Sequence, residues 1–180
     1  MSAAADARAL LEGWPAPSAR QEQLRQEYVA HLRSRPDALD RSCLPDHITA
    51  STLVVSGDGS QVLLTLHRKA GRWFQLGGHV DPADQTLGEA ALREAVEESG
   101  LPLHLDPVPV HLDTHPVPFC GGPGTRHLDV RFLAVATAQA HRRSAESDDL
   151  RWWPVDALPT DEPSLRELVE LARHRCGAQL

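Results

Sequence analysis

The apolar residues near the N-terminus recur with helical spacing. Leu24, Tyr28 and Leu32 follow one another at intervals of four residues, which places them on one face of a helix. From residue 46 onward the apolar residues instead come in short runs, several of them β-branched. We therefore predict an N-terminal helical extension over residues 1–45 and a main domain over residues 46–180.

The short runs of the main domain predict strands that alternate with helices. Residues 49–55 and 62–66 flank the sequence Ser-Gly-Asp-Gly-Ser at residues 56–60, a pattern typical of a β-hairpin. The other predicted elements are strands at residues 73–76, 130–136 and 151–155 and helices at residues 87–99 and 164–173. Strands interleaved with helices indicate a layered α/β fold with a mixed β-sheet.

Composition and charge argue against some classes of protein. The 180 residues include 25 acidic and 18 basic side chains, and the net charge of −7 disfavours an extended nucleic-acid surface, which needs a basic face. The longest nearly apolar stretch, residues 132–138, is well short of the ~20 residues that cross a bilayer. Cys43, Cys120 and Cys176 are odd in number and form no CxxC pair. We therefore expect a cytoplasmic protein without a membrane segment.

The helix at residues 87–99 has recognisable signals at both ends. Thr86 followed three residues later by Glu89 forms a capping box, which starts a helix at residue 87. Gly100 stands just past the last residue of the helical pattern, where glycine commonly ends a helix. These signals fix the register of the side chains between them.

Three carboxylates share one face of this helix near its C-terminal end. Glu94 lies three residues before Glu97 and four before Glu98. This position is unfavourable for anions, because the helix dipole is negative there and the carboxylates repel one another. A divalent cation would offset both effects, and hard oxygen ligands suit Mg²⁺ or Mn²⁺. The alternative is a solvated face in which Arg93 pairs with Glu97, worth only ~0.2–0.5 kcal/mol.

The sequence around this helix resembles the signature of the Nudix hydrolase family, which is MutT-like. That signature is a glycine, five residues, Glu, seven residues, and then Arg-Glu-apolar-x-Glu-Glu-x-Gly-apolar. Residues 93–101, Arg-Glu-Ala-Val-Glu-Glu-Ser-Gly-Leu, match its second half. The first half departs from it: counted from Gly78, the first glutamate of the family falls on Asp84, and eight residues then precede Arg93. We place the extra residue in the loop at residues 82–85, where insertions are tolerated.

The resemblance implies a Nudix-type α/β/α sandwich and a pyrophosphohydrolase that depends on Mg²⁺ or Mn²⁺. Its substrate would be a small diphosphate, a nucleoside diphosphate linked to another group, and homodimers are common in the family. Carried over by position, Glu94, Glu97, Glu98 and the carbonyl of Gly78 would bind the metal. The resemblance also implies catalytic roles for three residues: Glu94, Arg93 and Glu98. Glu94 would orient or deprotonate the water, and Arg93 would hold the glutamates.

Side chains outside this helix are candidates for binding the substrate. The cations that could contact phosphates are Arg68, Lys69, Arg72, Arg126 and Arg131. In many relatives an acid from a later loop serves as base or ligand, and the residues in a matching place are Glu146, Asp148 and Asp149. Each of these side chains is also consistent with an ordinary surface charge.

Two other functions stay open at this point. A non-catalytic, nucleotide-binding or regulatory Nudix module is favoured only by the altered loop at Asp84. Isomerase chemistry of the isopentenyl-diphosphate type occurs on a similar fold, but no block of the sequence supports its active-site cysteine.

A second metal site is a further alternative in the sequence. His111, His115 and His127 with Cys120 offer nitrogen and sulfur ligands, but their spacing matches no zinc pattern. Ordinary loop and strand histidines are therefore the favoured interpretation.

Overall fold

The computed structural model describes residues 2–68, 70–142 and 147–177 of the chain. Seven strands and five helices lie within these residues, in the order α1 (Ala3–Gly13), α2 (Ala19–Ser34), β1 (Asp46–Val55), β2 (Gln61–His67), β3 (Arg72–Phe74), β4 (Leu76–His79), α3 (Leu87–Ser99), β5 (Leu103–Pro116), α4 (Pro118–Gly121), β6 (Arg126–Ala136), β7 (Ser147–Pro154) and α5 (Pro163–Gly177). None of the helices in this part of the chain is both long and apolar enough to cross a membrane.

Strand β1 is the centre of a mixed sheet with the order β3-β2-β1-β6-β5. It runs parallel to β6 along its whole length, from the pair Asp46 and Arg126 to the pair Val55 and Val135. It is antiparallel to β2 and β4, while β7 joins the sheet through β2. This arrangement confirms the predicted α/β fold with a mixed sheet.

The core lies on both faces of the sheet. Helices α1, α2 and α3 cover one face, where Leu11, Tyr28 and Phe132 are buried together. Helix α5 covers the other face, where Leu53 and Leu168 are buried. A fully buried side chain of this size contributes about 1.5–3 kcal/mol. The helices on both faces confirm the predicted sandwich, and α1 and α2 confirm that the N-terminal extension is helical.

The N-terminal helices also cover strand β5 at the edge of the sheet. Gln21 pairs with the backbone of Leu112 as a neighbouring strand would: the Leu112 N–H donates to Oε1 at 2.7 Å, and Nε2 donates to the carbonyl at 3.0 Å. The indole of Trp14 donates to the carbonyl of Pro109 at 2.7 Å. Open backbone groups on an edge strand invite unwanted pairing, and these contacts occupy them.

Strand β5 is the longest element that the hydrophobic pattern does not predict. Pro107 and Pro109 argue against a strand, because proline donates no hydrogen bond to a ladder. In the structure both prolines fall within the irregular stretch between Asp106 and His111, where the register with β6 shifts. An edge position and an irregular ladder together accommodate the missing donors.

The segment predicted as one strand at residues 73–76 belongs to two strands. It divides at Gln75, whose side-chain amide donates to Ser51 and Asp129, both at 3.1 Å. Strand β3 pairs with β2, whereas β4 pairs with β1. This division brings the backbone at Gly78 alongside β1, at the position where helix α3 packs against the sheet.

Candidate active site

Helix α3 begins and ends where the sequence predicts. Thr86 Oγ1 accepts the N–H of Glu89 at 3.0 Å, and the Glu89 carboxylate accepts the N–H of Gln85 at 2.7 Å. At the other end Gly100 adopts a left-handed conformation with φ of 67°, and its N–H donates to the carbonyl of Val96. The face of α3 that packs on the sheet carries Leu87, Ala90 and Ala91. The glutamates therefore lie on the remaining faces.

Arg93 connects this helix to the loop and strand before it. Its Nε and Nη2 atoms bind both oxygens of Asp84, at 3.1 and 2.8 Å. Nη2 also donates to the carbonyl of His79 at 3.0 Å. Nη1 contacts Glu94 at 2.9 Å and Glu97 at 3.4 Å. One guanidinium therefore holds the loop, strand β4 and two glutamates in a fixed relation.

Asp84, the residue at which the sequence departs from the family signature, is part of this arrangement. Its side chain is only 7% exposed and accepts the N–H of Asp81 as well as two bonds from Arg93. Burial acts to raise the pKa of Asp84, but the hydrogen bonds from Arg93, the N–H of Asp81 and the charge of Arg93 together outweigh it and leave this pKa below its usual value. The same hydrogen bonds raise the pKa of Arg93, so the pair stays charged.

Gly78 lies directly against the carboxylate of Glu94. A Cβ atom at Gly78 would come within 2.7 Å of Oε2 and 2.8 Å of Cδ of Glu94, which no side chain tolerates without displacing one of them. Glycine thus permits a close approach between the β4 backbone and this carboxylate. The glutamate side chain is 20% exposed, so it remains accessible from solvent.

The residues of this region fit a hard divalent cation. Glu94, Glu97 and Glu98 supply oxygen donors only, and they are spaced along the same side of α3. Arg93 is one cation in contact with three carboxylates, so the group carries net negative charge. The missing side chain at Gly78 lets the backbone of β4 lie close to the carboxylate of Glu94.

The structure separates the predicted substrate-binding residues into different settings. Arg68 and Arg72 are exposed near the turn between β2 and β3, where they pair with Asp148 at 2.9 Å and Glu162 at 2.6 Å. Arg126 is likewise exposed and pairs with Asp46. Two other predicted residues, Lys69 and Glu146, lie outside the described residues.

Arg131 is the predicted substrate-binding residue whose geometry does not support that role. Its side chain is 2% exposed, and its donors bind Asp113 at 2.8 Å, Asp129 at 3.0 Å and the hydroxyl of Ser164 at 3.2 Å. Removing one partner from a buried ion pair of this kind costs about 3–5 kcal/mol. Arg131 therefore connects β5, β6 and α5, and its buried side chain is not accessible to a phosphate in solution.

A second cluster, which we call the His/Cys cluster, consists of His47, His79, Cys120 and His127. Nε2 of His79 lies 3.2 Å from Nε2 of His47 and 3.2 Å from Sγ of Cys120, and that Sγ lies 3.9 Å from Nε2 of His47. The ring of His127 stands 4.8 Å from that of His47 and 5.0 Å from that of His79, centre to centre. Burial lowers the pKa of His79 to about 4 and that of His127 to about 3.

The His/Cys cluster is only partly the one that sequence reasoning considered. Cys120 and His127 belong to it, whereas His111 and His115 do not. His115 binds Asp113 at 2.9 Å, and His111 faces a glutamate of α5 instead. His47 and His79 take their places, and neither stood out in the sequence as a ligand.

Residues 45–172 match the family model of the NUDIX domain. Because this match covers more than half of the chain, the chain belongs to the Nudix family, as its sequence predicted. The class of enzyme that this defines is a pyrophosphohydrolase.

Solved structures agree with this assignment. A NUDIX-family hydrolase from Clostridium perfringens is similar at 27% identity and a TM-score of 0.58, over 72% of this chain and 97% of that one. An Ap4A hydrolase from C. elegans, solved as a binary complex, is similar at 18% identity and a TM-score of 0.59, over 73% of this chain and 98% of that one. The NUDIX domain of NrtR from Shewanella oneidensis, solved with ADP ribose, is similar at 19% identity and a TM-score of 0.55, over 84% of this chain and 97% of that one. No curated protein matches the chain.

Proposed function

We propose that this protein hydrolyses a diphosphate bond in a nucleoside diphosphate linked to another group, and that it requires Mg²⁺ or Mn²⁺. The observation that carries this proposal is the set of contacts around Arg93, which holds Asp84, Glu94 and Glu97 while Gly78 lies against Glu94. Such a concentration of carboxylates on one helix is costly without a cation. Family membership makes hydrolysis of a pyrophosphate bond the reaction to which this arrangement contributes.

The residues of α3 would divide the work between binding and proton transfer. Glu94, Glu97, Glu98 and the carbonyl of Gly78 would hold the cation. When bound, that cation would neutralise the diphosphate and lower the pKa of a bound water. Glu94 would orient the attacking water and accept its proton, since Arg93 fixes its Oε1 and the β4 backbone confines its Oε2. Arg93 acts through the glutamates that it positions.

A nucleotide-derived substrate is supported by two of the similar structures. One is an Ap4A hydrolase and the other binds ADP ribose, and both are similar to this chain over most of its length. We infer that Arg68 and Arg72 contact the substrate phosphates. Their present ion pairs are exposed, and pairs of that kind contribute about 0–1 kcal/mol, so a phosphate could replace the carboxylate at little cost.

The test is a panel of nucleoside diphosphate derivatives with Mg²⁺, in which the products are identified by mass spectrometry. We expect turnover of at least one member and a large loss of activity for Glu98→Gln. The matched control is Glu170→Gln, an exposed glutamate on α5 that should leave activity unchanged. No turnover of any member, with no difference between the two variants, would contradict the proposal.

Two other outcomes of the same panel would replace the proposal. Tight nucleotide binding by calorimetry without any hydrolysis would indicate a nucleotide-binding or regulatory module. Conversion of isopentenyl diphosphate to its allylic isomer would indicate isomerase chemistry.

We also propose that the protein forms a homodimer and that it is cytoplasmic. Light scattering on the purified chain tests the oligomeric state, and imaging of a tagged chain tests the location.

A further inference from the structure

The His/Cys cluster lies at the end of the sheet where β1 and β6 begin and β4 ends. His47, His79 and His127 come from these three strands, and Cys120 comes from α4. Each residue offers one ligand atom, and the four atoms lie within 4.8 Å of one another. We propose that these side chains form a tetrahedral Zn²⁺ site that is distinct from the carboxylates of α3.

The distances between the donor atoms suit a tetrahedral zinc ion. Zinc bonds of about 2.0–2.1 Å to nitrogen and 2.3 Å to sulfur imply separations of about 3.3 Å between two nitrogens and about 3.6 Å between nitrogen and sulfur. The nitrogens of His47 and His79 are 3.2 Å apart, and Cys120 Sγ lies 3.2 and 3.9 Å from them. Shifts of a few tenths of an ångström suffice to place a metal between these three atoms. The donor atom of His127 must move by about 1 Å, because the separations among the four atoms reach 4.8 Å.

The surroundings of two imidazoles also favour a bound metal. Nδ1 of His47 is 3.2 Å from the carbonyl of Cys43, so a proton on Nδ1 leaves the lone pair of Nε2 facing the cluster. A histidine ligand commonly donates its other ring nitrogen in this way. Nε2 of His127 is buried and has no hydrogen-bond partner among the described residues. Buried polar atoms without partners are uncommon, and coordination by Nε2 would supply the partner.

The donor types select zinc over the cation proposed for α3. Three imidazoles and one thiol are borderline or soft ligands, whereas Mg²⁺ and Mn²⁺ prefer oxygen. Four protein ligands fill a tetrahedral shell and leave no position for water, which is typical of a structural zinc site. The cluster would thus bind zinc, and the carboxylates of α3 would bind Mg²⁺ or Mn²⁺, because their ligand atoms differ.

The consequence of such a site is a link between a short segment and the candidate active site. Helix α4 has four residues, and Phe119 next to Cys120 is 46% exposed, so this segment has little core of its own. Zinc would fasten Cys120 to three strands. It would also fix His79, which follows Gly78 directly and whose carbonyl binds Arg93 at 3.0 Å. We therefore assign the zinc a structural role that supports the end of β4.

The experiment measures metal content and geometry in the full-length chain. After dialysis against excess Mg²⁺ without a chelator, we expect one zinc per chain by mass spectrometry of the elements. Replacement of zinc by Co²⁺ should give the visible bands of a tetrahedral ion and a near-ultraviolet charge-transfer band from the thiolate. Cys120→Ser should lose the charge-transfer band and bind zinc at least about tenfold more weakly.

Two control variants distinguish this site from the thiol of α5 and from the carboxylates of α3. Cys176→Ser removes a half-buried thiol on α5 and should keep both the zinc and the spectrum, and Glu97→Gln should keep the zinc as well. Circular dichroism confirms that each variant is folded, and the spectrum of the unmodified chain is decisive even if a variant is not. Equal zinc content in the chain and in Cys120→Ser, or cobalt bands without a thiolate band, would overturn the proposal. So would a chain that binds no zinc and whose Cys120 reacts rapidly as a free thiol.

Discussion

The acidic face of α3 and the His/Cys cluster are neighbours that the chain assembles in opposite ways. The residues around Arg93 all come from the stretch between Gly78 and Glu98, most of them on one helix. The His/Cys cluster draws its members from β1, β4, α4 and β6, from His47 to His127. The first group depends mainly on one helix and the loop before it, whereas the second exists only after β1, β4 and β6 have paired.

The two groups also differ in donor type and exposure. The glutamates present oxygens, and the side chain of Glu97 is 61% exposed. The histidines of the cluster are largely removed from solvent, and burial keeps the pKa of His79 and of His127 well below that of a free imidazole. An open oxygen site suits a cation that exchanges and meets substrate, while a closed nitrogen and sulfur site suits one that stays. The difference predicts that the two groups can be disabled separately.

The largest expected effect is the loss of catalysis in Glu94→Gln. Removing one carboxylate from the proposed metal and proton-transfer position should lower kcat by about 10²–10³-fold, because charge stabilisation and water activation both depend on it. Zinc content and thermal stability should not change, since none of the cluster's donors is affected. Steady-state kinetics and elemental analysis of the same sample check this. A loss of zinc that parallels the loss of activity would mean that the two groups are one site.

The next effect concerns stability, and it should depend on which metal is added. Zn²⁺ bound to the native chain alone should stabilise it by about 2.7 kcal/mol at a concentration 100 times its Kd. Mg²⁺ at a similar concentration should have little effect, because an exposed oxygen site binds it weakly. Thermal unfolding of the zinc-free chain with each metal measures both responses. At the same zinc concentration Cys120→Ser, which binds at least about tenfold more weakly, should be stabilised by no more than about 1.4 kcal/mol, and an unchanged response in that variant would place the zinc elsewhere.

The contrast between the two groups also explains how much the sequence could predict. Helix α3 and its glutamates follow from local rules: the cap at Thr86, the spacing of the glutamates and the glycine at residue 100 all lie within fifteen residues. The family signature adds the strand and loop that precede them. The mixed sheet is predictable for a similar reason, because most of its strands are short runs with clear ends.

The His/Cys cluster could not be predicted in this way, because its geometry depends on strand register. His47 lies opposite His127 because β1 and β6 run parallel in the register that pairs these two residues. His79 lies beside them because β4 pairs directly with β1, with His79 opposite Thr49. Cys120 follows β5, a strand that the sequence pattern did not predict and in which Pro107 and Pro109 are unusual. The sequence instead offered His111 and His115 as further candidates, although their spacing matched no zinc pattern, and in the structure both lie on β5 with acidic partners of their own.

A smaller effect is expected from Gly78→Ala, which tests the contact between β4 and the carboxylate of Glu94. The added Cβ would lie 2.7 Å from Glu94 Oε2 and should displace that carboxylate, with a loss in kcat of at least about tenfold, because catalysis is sensitive to displacements of this size. The control is Gly88→Ala on α3, where a Cβ would meet the end of the Leu105 side chain at 3.4 Å. That variant should keep its activity and gain about 0.5–1 kcal/mol of stability. Full activity in Gly78→Ala would show that Glu94 does not need its present position.

The smallest effect is expected for Arg72→Ala, which should raise KM about fivefold and leave kcat unchanged. An exposed cation that contacts a phosphate contributes about 1 kcal/mol to binding, and a contact made equally with substrate and transition state changes KM alone. Arg72 is 60% exposed and forms its ion pair with Glu162 at the surface, so its removal should hardly alter stability. Arg173→Ala removes a similarly exposed cation on α5 and should leave KM unchanged. Equal KM values for the two variants would show that Arg72 is a surface charge without a role in substrate binding. The proposed site would then rest on the glutamates of α3.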